Sequence, residues 1–420
     1  MTGQFGHVPA ANFLAKGWQL MELRIYCFVA MVCCGLMGSA PLAEAGTSST
    51  AECRHWDQVQ FSPAFEIDDT VFGIITLATP AEERFEIWKS EDRGSSWTQL
   101  FGSRMRQALF LGVSRAYRVD QTLFVKDGPA VWRSTDGGAN WTTAGYLPDG
   151  LDSWWRLEVI NSNEAFAMGH YPRPHSGLQE RGVWHTLDGG ITWTRVYSDH
   201  TVTAMAISPA YPRDLTLFIA PYEYKSVGGI YKSTDAGRIW MPVNQDFPVG
   251  SSSGLVNQIT LSPEFEHDGT VFVSGPHALY VSKDQGDRWK LLPTVSVQEI
   301  LDVAVSPRYG VDNTVLALGY DTGLIISRDE GRYWSVTTPF PGWMPSFMGL
   351  INVFANGPAS IGIHLADYVS PDLGQTWFCL GAPVAPPVPE IPEAATWLLL
   401  GCGLVGLAGY LWWNLQGSIR

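Results

Sequence analysis

A single short motif occurs seven times in this 420-residue chain and constrains its fold more than any other feature. The motif has the form Ser/Thr-x-Asp-x-Gly-x-x-Trp, and successive copies lie 43 to 52 residues apart. A spacing in this range indicates one supersecondary unit that is repeated along the chain. The aspartates of the seven copies are Asp92, Asp136, Asp188, Asp235, Asp284, Asp329 and Asp372.

Each motif lies among short runs of β-branched and aromatic residues that are separated by Gly, Pro, Asn and Asp. Such runs are typical of strands. In the fourth repeat the runs are 202–207, 215–220, 229–233 and 239–243, which predicts four strands in each unit. No helical periodicity is found inside the repeats. Seven such units predict an all-β chain that is built as a radial array of small sheets.

The residue types of the motif suit a tight turn between the third and fourth strands. The Asp carboxylate can accept backbone N–H groups of its own turn, and the Gly supplies a positive φ. The Ser or Thr hydroxyl can bridge the turn, and the Trp offers a large apolar surface to the neighbouring sheet. All four roles are structural. We therefore expect the seven aspartates to support the fold and not to catalyse a reaction.

These motifs are identified as Asp-boxes, and the chain resembles the BNR-repeat β-propellers. That group includes sialidases, xyloglucanases, sortilin-type receptors and photosystem II assembly factors. A second phrase, which begins with Ser-Pro and ends with Thr-Val-Phe, occurs at 62–72 and 262–272 and joins the first two strands of a repeat. The resemblance implies a seven-bladed β-propeller of four-stranded antiparallel blades over residues 46–381. It implies no single activity, because one fold hosts many functions.

The first 45 residues have the pattern of a secretory signal peptide. Arg24 precedes an apolar run over 25–37, and Ala43 and Ala45 provide small residues at a cleavage site. Met21 is an alternative start, and an uncleaved anchor helix is the alternative interpretation of the segment. We therefore predict that the chain is exported.

The other end of the chain predicts a membrane anchor. Residues 394–413 are 20 uncharged residues, which as a helix would span about 30 Å, the thickness of a bilayer core. A Pro-rich linker, 382–393, precedes them, and a short cytoplasmic tail, 414–420, follows. The segment also resembles the PEP-CTERM sorting signal, which implies that it is either processed or kept as a plain anchor. The predicted location is the cell envelope, with the propeller outside the cytoplasmic membrane.

Cysteine usage agrees with export. Of six cysteines, only Cys53 and Cys379 fall in the predicted propeller, at the start of the first blade and in the last strand of the seventh. The ends of a closed ring are neighbours, so we predict a disulfide between them, worth up to about 5–6 kcal/mol in the chain-entropy account. Two unrelated buried thiols are the alternative.

The net charge of the chain excludes nucleic acid as a partner. It has 27 Lys and Arg against 41 Asp and Glu, a net charge of −14, whereas nucleic-acid binding requires clustered Lys and Arg. No cofactor is predicted. His170 and His175 lack a third ligand at a suitable spacing, so no metal site is predicted either.

A candidate binding site is predicted on the face opposite the Asp-x-Gly turns. The longest spacing between motifs, 52 residues, comes from an insertion between the second and third strands of the third repeat. Loops carry binding sites more often than strands do, and exposed aromatic rings suit sugars or extended peptides. Self-packing of the loops is the alternative. The residues of this predicted rim are Trp154, Trp155, His170, Tyr171, Arg173, His175, Tyr222, Tyr224 and Trp343.

The predicted function is that of a non-catalytic, membrane-anchored propeller that binds an unidentified protein or glycan at the cell envelope. A purely structural surface protein and a glycoside hydrolase with paired central carboxylates are the alternatives. The early Arg-Ile-Pro phrase of sialidases is absent, xyloglucanases use two propellers, and an anchor at this end does not suit a photosystem assembly factor. A sialidase also needs three arginines in one pocket, and the positions of the arginines within the repeats do not place three of them together. The arginines considered are Arg104, Arg106, Arg115, Arg118 and Arg156.

Overall fold

A computed structural model divides the chain into two compact units, residues 1–50 and 51–420. The structure describes residues 56–78, 83–103, 110–146, 153–170, 181–222, 228–249, 255–276, 278–293, 299–320, 322–337, 351–355, 361–365, 368–370 and 378–379. The predicted signal peptide, the Pro-rich linker, the C-terminal helix and Cys53 lie outside these residues. Within these ranges, no helix has the length and apolar character needed to span a membrane.

The described residues form seven four-stranded antiparallel sheets, and the strands of each sheet pair in chain order. Sheets 1 and 2 contain β1 Gln58–Phe61, β2 Val71–Ala78, β3 Glu83–Ser90, β4 Thr98–Ser103, β5 Phe110–Val113, β6 Leu123–Asp127, β7 Ala130–Ser134 and β8 Thr142–Tyr146. Sheets 3 and 4 contain β9 Ser153–Val159, β10 Ala165–His170, β11 Arg181–Thr186, β12 Thr194–Tyr197, β13 Thr201–Ile207, β14 Leu217–Tyr222, β15 Tyr231–Ser233 and β16 Met241–Pro242. Sheets 5 and 6 contain β17 Gln258–Leu261, β18 Val271–Gly275, β19 Ala278–Ser282, β20 Lys290–Leu291, β21 Ile300–Val305, β22 Val315–Gly319, β23 Gly323–Ser327 and β24 Ser335–Thr337. Sheet 7 contains β25 Ile351–Ala355, β26 Ile361–Leu365, β27 Tyr368–Ser370 and β28 Phe378–Cys379.

The second strands are buried on both faces because a neighbouring sheet packs on each side. Every residue of β6, β18 and β22 is buried. This explains why each of these strands begins with three consecutive apolar residues and does not alternate between apolar and polar residues. By contrast, both residues of β16 and of β20 are exposed, which places the fourth strands at the outside.

The sheets follow one another around a centre in chain order. The first strands of sheets 2 and 3, 4 and 5, 5 and 6, and 6 and 7 contact each other, and β25 of sheet 7 contacts β1 of sheet 1. Sheet 3 contacts β13 of sheet 4 through β10 and β11, and sheets 1 and 2 share a hydrophobic cluster. Val369 of β27 shares one hydrophobic cluster with Trp56, Val59 and Phe65 from the start of the described chain. Antiparallel sheets that succeed one another in this way have the arrangement of a β-propeller, as the repeats predict.

Within the described ranges, four one-turn helices interrupt the β repeats, although the sequence shows no helical periodicity there. They are α1 Phe65–Asp68, α2 Tyr117–Asp120, α3 Phe265–Asp268 and α4 Tyr309–Asp312. Each joins the first and second strands of its sheet, where the Ser-Pro phrase or its variant lies. In α1 the Ser62 hydroxyl donates to Asp68 Oδ2 at 2.6 Å, and the other three helices repeat this bond. Four residues are too few to produce a helical period in the sequence.

The Asp-x-Gly turns join the third and fourth strands and lie at the same end of the sheets as these helices. In the second repeat the Ser134 hydroxyl donates to Asp136 Oδ1 at 2.8 Å and accepts the Gly138 N–H at 2.9 Å. Gly138 has φ +95°, which favours glycine. The Gly137 N–H then donates to the Gln121 carbonyl that follows α2. Each of the six described turns is attached in this way to the connection between strands one and two of its own sheet.

Candidate functional site

A charged cluster begins on β9, the first strand of sheet 3. Arg156 and Glu158 are two residues apart, so both side chains leave the strand on the same side. Leu157 and Val159 point the other way and pack against Trp184 in a hydrophobic cluster. The first strand thus supplies apolar residues to the core on one side and a charged pair on the other.

Arg156 links two residues from two sheets that are not neighbours, Glu158 and Gln258. Its Nε donates to Glu158 Oε1 at 2.6 Å, and its Nη1 donates to Gln258 Oε1 at 2.9 Å. Gln258 lies on β17 of sheet 5, so the contact passes over sheet 4. A side chain that reaches beyond the adjacent sheet does so through the centre of the molecule.

Arg115, which follows β5 of sheet 2, makes a second contact of this kind. Its Nη1 and Nη2 donate to the carbonyls of Ser208 and Ile207 in sheet 4, at 2.7 and 3.1 Å. Its Nη2 also lies 3.9 Å from Glu158 Oε2. Arg115, Arg156, Glu158 and Gln258 together form what we call the central cluster, which comes from sheets 2, 3 and 5.

The electrostatics of the central cluster keep its carboxyl group ionised. Burial opposes ionisation of Glu158, but the Arg156 and Arg115 guanidiniums outweigh it and lower the pKa of this carboxyl. For Arg156, burial is outweighed by Glu158, and the pKa of the guanidinium is raised. A general acid in a glycosidase requires the opposite shift, towards a higher carboxyl pKa. Glu158 therefore suits an ion pair better than proton donation.

A second carboxylate, Asp302 on β21, lies near the cluster and its charge contributes to the raised pKa of Arg156. Its side chain is buried, and its Oδ1 accepts the Val303 N–H at 2.8 Å. This carboxylate is therefore engaged with the backbone of its own strand.

The central cluster is not predicted from the sequence. Arg115 and Arg156 are two of the five arginines for which the sequence predicts no shared pocket, and the structure brings these two together on Glu158. Arg118 is exposed on α2, and Arg104 and Arg106 lie outside the described residues. A signal was present, because an Arg and a Glu two positions apart are unusual in an otherwise apolar first strand.

The predicted rim is described only in part. Trp154 lies on β9 and pairs with Gly169 of β10, while His170 pairs with Ser153 at the end of the same two strands. A register shift between Met168 and Gly169 accompanies Trp155, the neighbour of Trp154. The backbones of these residues therefore lie together at the end of sheet 3 that is opposite the turns.

Sheet 4 brings one more rim residue to this end of the molecule. Tyr222 is half-buried, ends β14 and pairs with Thr201 at the start of β13. The other five residues of the predicted rim lie outside the described part: Tyr171, Arg173, His175, Tyr224 and Trp343. In the part of the chain that the structure covers, no three His, Cys, Asp or Glu side chains are grouped as a metal site would require.

The chain was compared with known proteins. No family model matches it. Among curated proteins it is 28% identical over 183 residues to the photosystem II assembly lipoprotein Ycf48 of a Synechococcus strain, a match that covers 41% of this chain and 46% of that protein. It is also 28% identical over 180 residues to a probable oligoxyloglucan-reducing end-specific xyloglucanase of Neosartorya fischeri, covering 41% of this chain and 21% of that enzyme. The chain thus spans less than half the length of these relatives.

Solved structures show the same fold at lower sequence identity. A structure of YCF48 bound to D1 peptide has a TM-score of 0.51 at 15% identity and covers 74% of this chain and 89% of that one. A GH74 xyloglucanase from Xanthomonas campestris has a TM-score of 0.55 at 16% identity, covering 78% and 54%. A puromycin hydrolase has a TM-score of 0.54 at 12% identity, covering 80% and 57%. These likenesses establish the β-propeller fold, which is common to binding proteins and hydrolases.

Proposed function

We propose that this chain is a non-catalytic, seven-bladed β-propeller that binds a segment of another protein at the rim of sheets 3 and 4. The observation that carries the proposal is the state of Glu158. Its carboxylate lies 2.6 Å from Arg156 and 3.9 Å from Arg115, and its pKa is lowered. A carboxylate that is held ionised between two guanidiniums does not supply the general acid that a glycosidase needs.

The comparisons supply a precedent for a protein partner. The YCF48 structure holds a D1 peptide, which demonstrates that a propeller of this kind can bind a segment of a protein. Loops at the ends of rigid strands can present aromatic anchors to such a segment at low entropic cost. The inserted loop of the third repeat, which accounts for the longest spacing of 52 residues, is the place where this chain departs most from its own repeat.

We also propose that the propeller acts at the cell envelope. The proposal rests on the sequence patterns at the two termini, a signal peptide over 1–45 and an apolar segment over 394–413. The partner is then an envelope protein outside the cytoplasmic membrane.

A peptide-display selection against the full-length chain tests the proposal. We expect enriched peptides to bind the native protein and to lose about tenfold in affinity when Tyr222 is changed to Ala, because truncation of an aromatic anchor commonly costs more than 1 kcal/mol. Tyr146→Ala is the matched control, since Tyr146 is an exposed tyrosine at the end of β8 in sheet 2. Failure to enrich any peptide, or equal losses for both variants, would contradict rim binding.

A glycoside hydrolase is the second candidate, and the xyloglucanases among the relatives are the observation that favours it. It predicts release of reducing sugar from xyloglucan oligosaccharides and loss of that activity in Glu158→Gln. A binding protein predicts no release from the native chain at any enzyme concentration. Turnover that disappears with Glu158→Gln would replace our proposal.

A further inference from the structure

The one-turn helices bury their first residue and expose their third. The first residue of each of the four helices is aromatic and buried. In α2 the ring of Tyr117 packs edge-on against Phe72 of sheet 1, with centroids 5.2 Å apart, so the helix is fixed on the preceding sheet. The third residue is then left at the surface. In three of the helices it is aliphatic and 63% to 88% exposed, namely Ile67, Val119 and Val311.

The Asp-x-Gly turns carry exposed apolar side chains at the same end of the sheets, which we call the turn end. Four residues of these turns are 61% to 81% exposed: Leu187, Ile191, Ile239 and Tyr333. In the part of the chain that the structure describes, nine large apolar side chains are more than 60% exposed. Seven of the nine are these turn and helix residues, which we call the apolar tips. Exposed apolar surface is therefore concentrated on one face of the molecule.

Arginines accompany three of the apolar tips. Arg118 precedes Val119 on α2, and in the turns of sheets 4 and 6 an arginine precedes Ile239 and Tyr333. The three arginines are exposed: Arg118, Arg238 and Arg332. A guanidinium beside an apolar side chain suits a phosphate group that lies above an apolar layer, because it can donate two hydrogen bonds to one phosphate.

Many carboxylates at the turn end are already bound by groups of the chain. Arg308 donates to Glu66 at 3.3 Å, and Arg213 donates to Glu266 at 2.7 Å. The turn aspartates accept hydrogen bonds within their own turns, as Asp92 does from the N–H of Ser96. These bonds offset the negative charge of this face, although the whole chain is acidic.

The apolar tips are spread over five sheets and do not form one cluster. They come from sheets 1, 2, 3, 4 and 6, one or two from each. A protein interface is organised around a contiguous buried core, which this arrangement does not offer. A fluid lipid surface can bury each side chain separately, since lipids rearrange around it. The pattern therefore fits a bilayer surface better than a folded partner.

We propose that the turn end docks on a bilayer surface that contains anionic lipids, with the apolar tips among the lipid headgroups. The inference rests on the proposed location at the cell envelope. β28 runs away from the turn end, and residues 380–393 lie between Cys379 and the predicted anchor. An extended chain of that length reaches about 40 Å, enough to return along the side of a propeller to the same membrane. The rim then faces away from the bilayer, towards the protein segment.

Methyl NMR of the full-length chain in lipid nanodiscs tests the docking. The nanodiscs contain phosphatidylcholine, about one-quarter phosphatidylglycerol and a trace of lipid that carries gadolinium. We expect the methyl groups of Ile67, Val119 and Val311 to relax at least about threefold faster than those of the controls, because inserted side chains lie about 5–10 Å into the headgroup region. The controls are Leu291 and Val336, which are 57% and 53% exposed on outer strands.

Charge variants provide a second measurement on the same sample. Arg118→Gln combined with Arg238→Gln should weaken docking, since one arginine near an anionic surface contributes about fivefold in binding. The relaxation of the apolar tips should fall accordingly. Arg213→Gln is the matched control, because Arg213 is already paired with Glu266, and it should leave the relaxation of the tips unchanged.

Three results would overturn the proposal. They are equal relaxation at the tips and at Leu291 and Val336, no response to the double arginine variant, and tip signals that shift with protein concentration in the absence of lipid, which would indicate a second copy of the chain. Peptide binding to the same nanodiscs separates this proposal from the proposed function. Peptides that bind and depend on Tyr222 would support the rim even where the tips do not contact lipid.

Discussion

At the scale of single residues, the turn aspartates show how an exposed carboxylate can remain ionised in strong acid. The side chain and backbone of Ser96 and the hydroxyl of Ser90 donate to Asp92, and lower the pKa of its carboxyl from 3.8 to about 2. Asn140 and Ser134 do the same for Asp136. The hydrogen bonds of these carboxylates lie within their own turns, so they act on the turn geometry.

This leads to a prediction for the pH dependence of the turns. Because the folded pKa is below the ordinary value, each carboxylate stabilises the fold above about pH 4 and loses that contribution as the pH falls towards 2. We expect carboxyl ¹³C titration of Asp92 and Asp136 to give midpoints near 2. Midpoints near 4 for the two turn residues would contradict the hydrogen bonding described above.

Glu158 provides a second prediction at this scale. Its replacement by Gln leaves Arg115 and Arg156 without their shared counter-charge. We expect the free energy of unfolding to fall by about 2 kcal/mol at pH 7, less than the 3–5 kcal/mol for a fully buried pair, because these side chains are partly exposed. The measurement is urea unfolding.

The pH dependence and a control sharpen this test. The pKa of Glu158 is lowered in the folded state, so its contribution is present above the unfolded value and is lost in acid. The difference between Glu158→Gln and the native chain should therefore shrink below about pH 4. Glu266→Gln removes the exposed partner of Arg213 and should cost about 0–1 kcal/mol. Equal stability of Glu158→Gln and the native chain at pH 7 would show that Glu158 does not stabilise the fold through Arg115 and Arg156.

The contacts of the central cluster mark the limit of prediction from sequence. The motif indicates a turn because its four residues are local. Arg115, in contrast, donates to Ile207, which is 92 residues away, and Arg156 donates to Gln258, which is 102 residues away. Such pairs depend on how far around the centre each sheet is placed, and no local pattern encodes that.

At the scale of elements, side chains at the turn end attach each sheet to the next. Lys232 donates to the Gln285 carbonyl at 3.0 Å, and Arg133 donates to the Ser162 carbonyl at 3.1 Å. Both cations come from the residue before the Ser or Thr of the motif. This position therefore ties a turn to the following sheet, in addition to its place in its own strand.

The sheet 3–4 junction uses a different set of residues for the same purpose. His185 occupies the position before the motif Thr, and its Nε2 lies 2.9 Å from Glu164 Oε1. The Tyr211 hydroxyl of sheet 4 donates to the same oxygen. One carboxylate thus joins the third strand of sheet 3 to the first connection of sheet 4.

The observed start of a strand differs from the predicted one where a backbone hydrogen bond holds an apolar residue in the preceding connection. The predicted second run of the fourth repeat begins at Leu215, but β14 begins at Leu217. Leu215 has φ +49°, and its carbonyl accepts the Ala236 N–H of the turn. An apolar residue is therefore used in a connection, which its side chain does not reveal.

A glycine in β11 gives a prediction at this scale. Gly182 has φ +136°, and a Cβ atom at this position would lie 1.8 Å from the Tyr197 carbonyl oxygen of β12. We expect Gly182→Ala to lower the free energy of unfolding by about 3 kcal/mol or more, because backbone strain and a clash with a fixed carbonyl add together. Thermal unfolding measures the change.

Gly102 of β4 is the matched control, since its nearest contact would be the flexible Gln99 side chain at 3.2 Å. Gly102→Ala should change the stability by less than about 1 kcal/mol. Similar melting temperatures for the two variants would show that β11 and β12 can separate at this point.

At the scale of the whole molecule, closure of the sheets leads to the disulfide prediction. Trp56 packs in the same cluster as Val369 of sheet 7, and Cys53 precedes Trp56 by three residues. We expect a free-thiol assay on the oxidised, unfolded chain to find Cys53 and Cys379 unreactive. Cys379→Ser should lower the free energy of unfolding by up to about 5 kcal/mol, the value for a long closed loop. Labelling of both cysteines without reductant would disprove the bond.

The overall architecture was the most predictable property, because seven copies of one motif report the same unit seven times. The centre and the junctions between sheets were the least predictable. Equivalent rings at two junctions are separated differently, by 6.5 Å for Tyr197 and Tyr231 and by 4.9 Å for Phe247 and Tyr280. Both junctions have aromatic residues at the same places, so composition does not predict how closely the rings pack.

The central cluster also has a consequence for how such a gene can change. Turns and their attachments are generic, so a repeat can be duplicated or lost without altering the bonds inside the others. The central contacts join four successive repeats, and each contact requires a fixed angle between the sheets around the centre. The groups involved are Arg115, Glu158, the carbonyl of Ser208 and Gln258. Insertion or loss of a repeat between the second and the fifth would therefore break these bonds, whereas the same change outside this block would leave them in place.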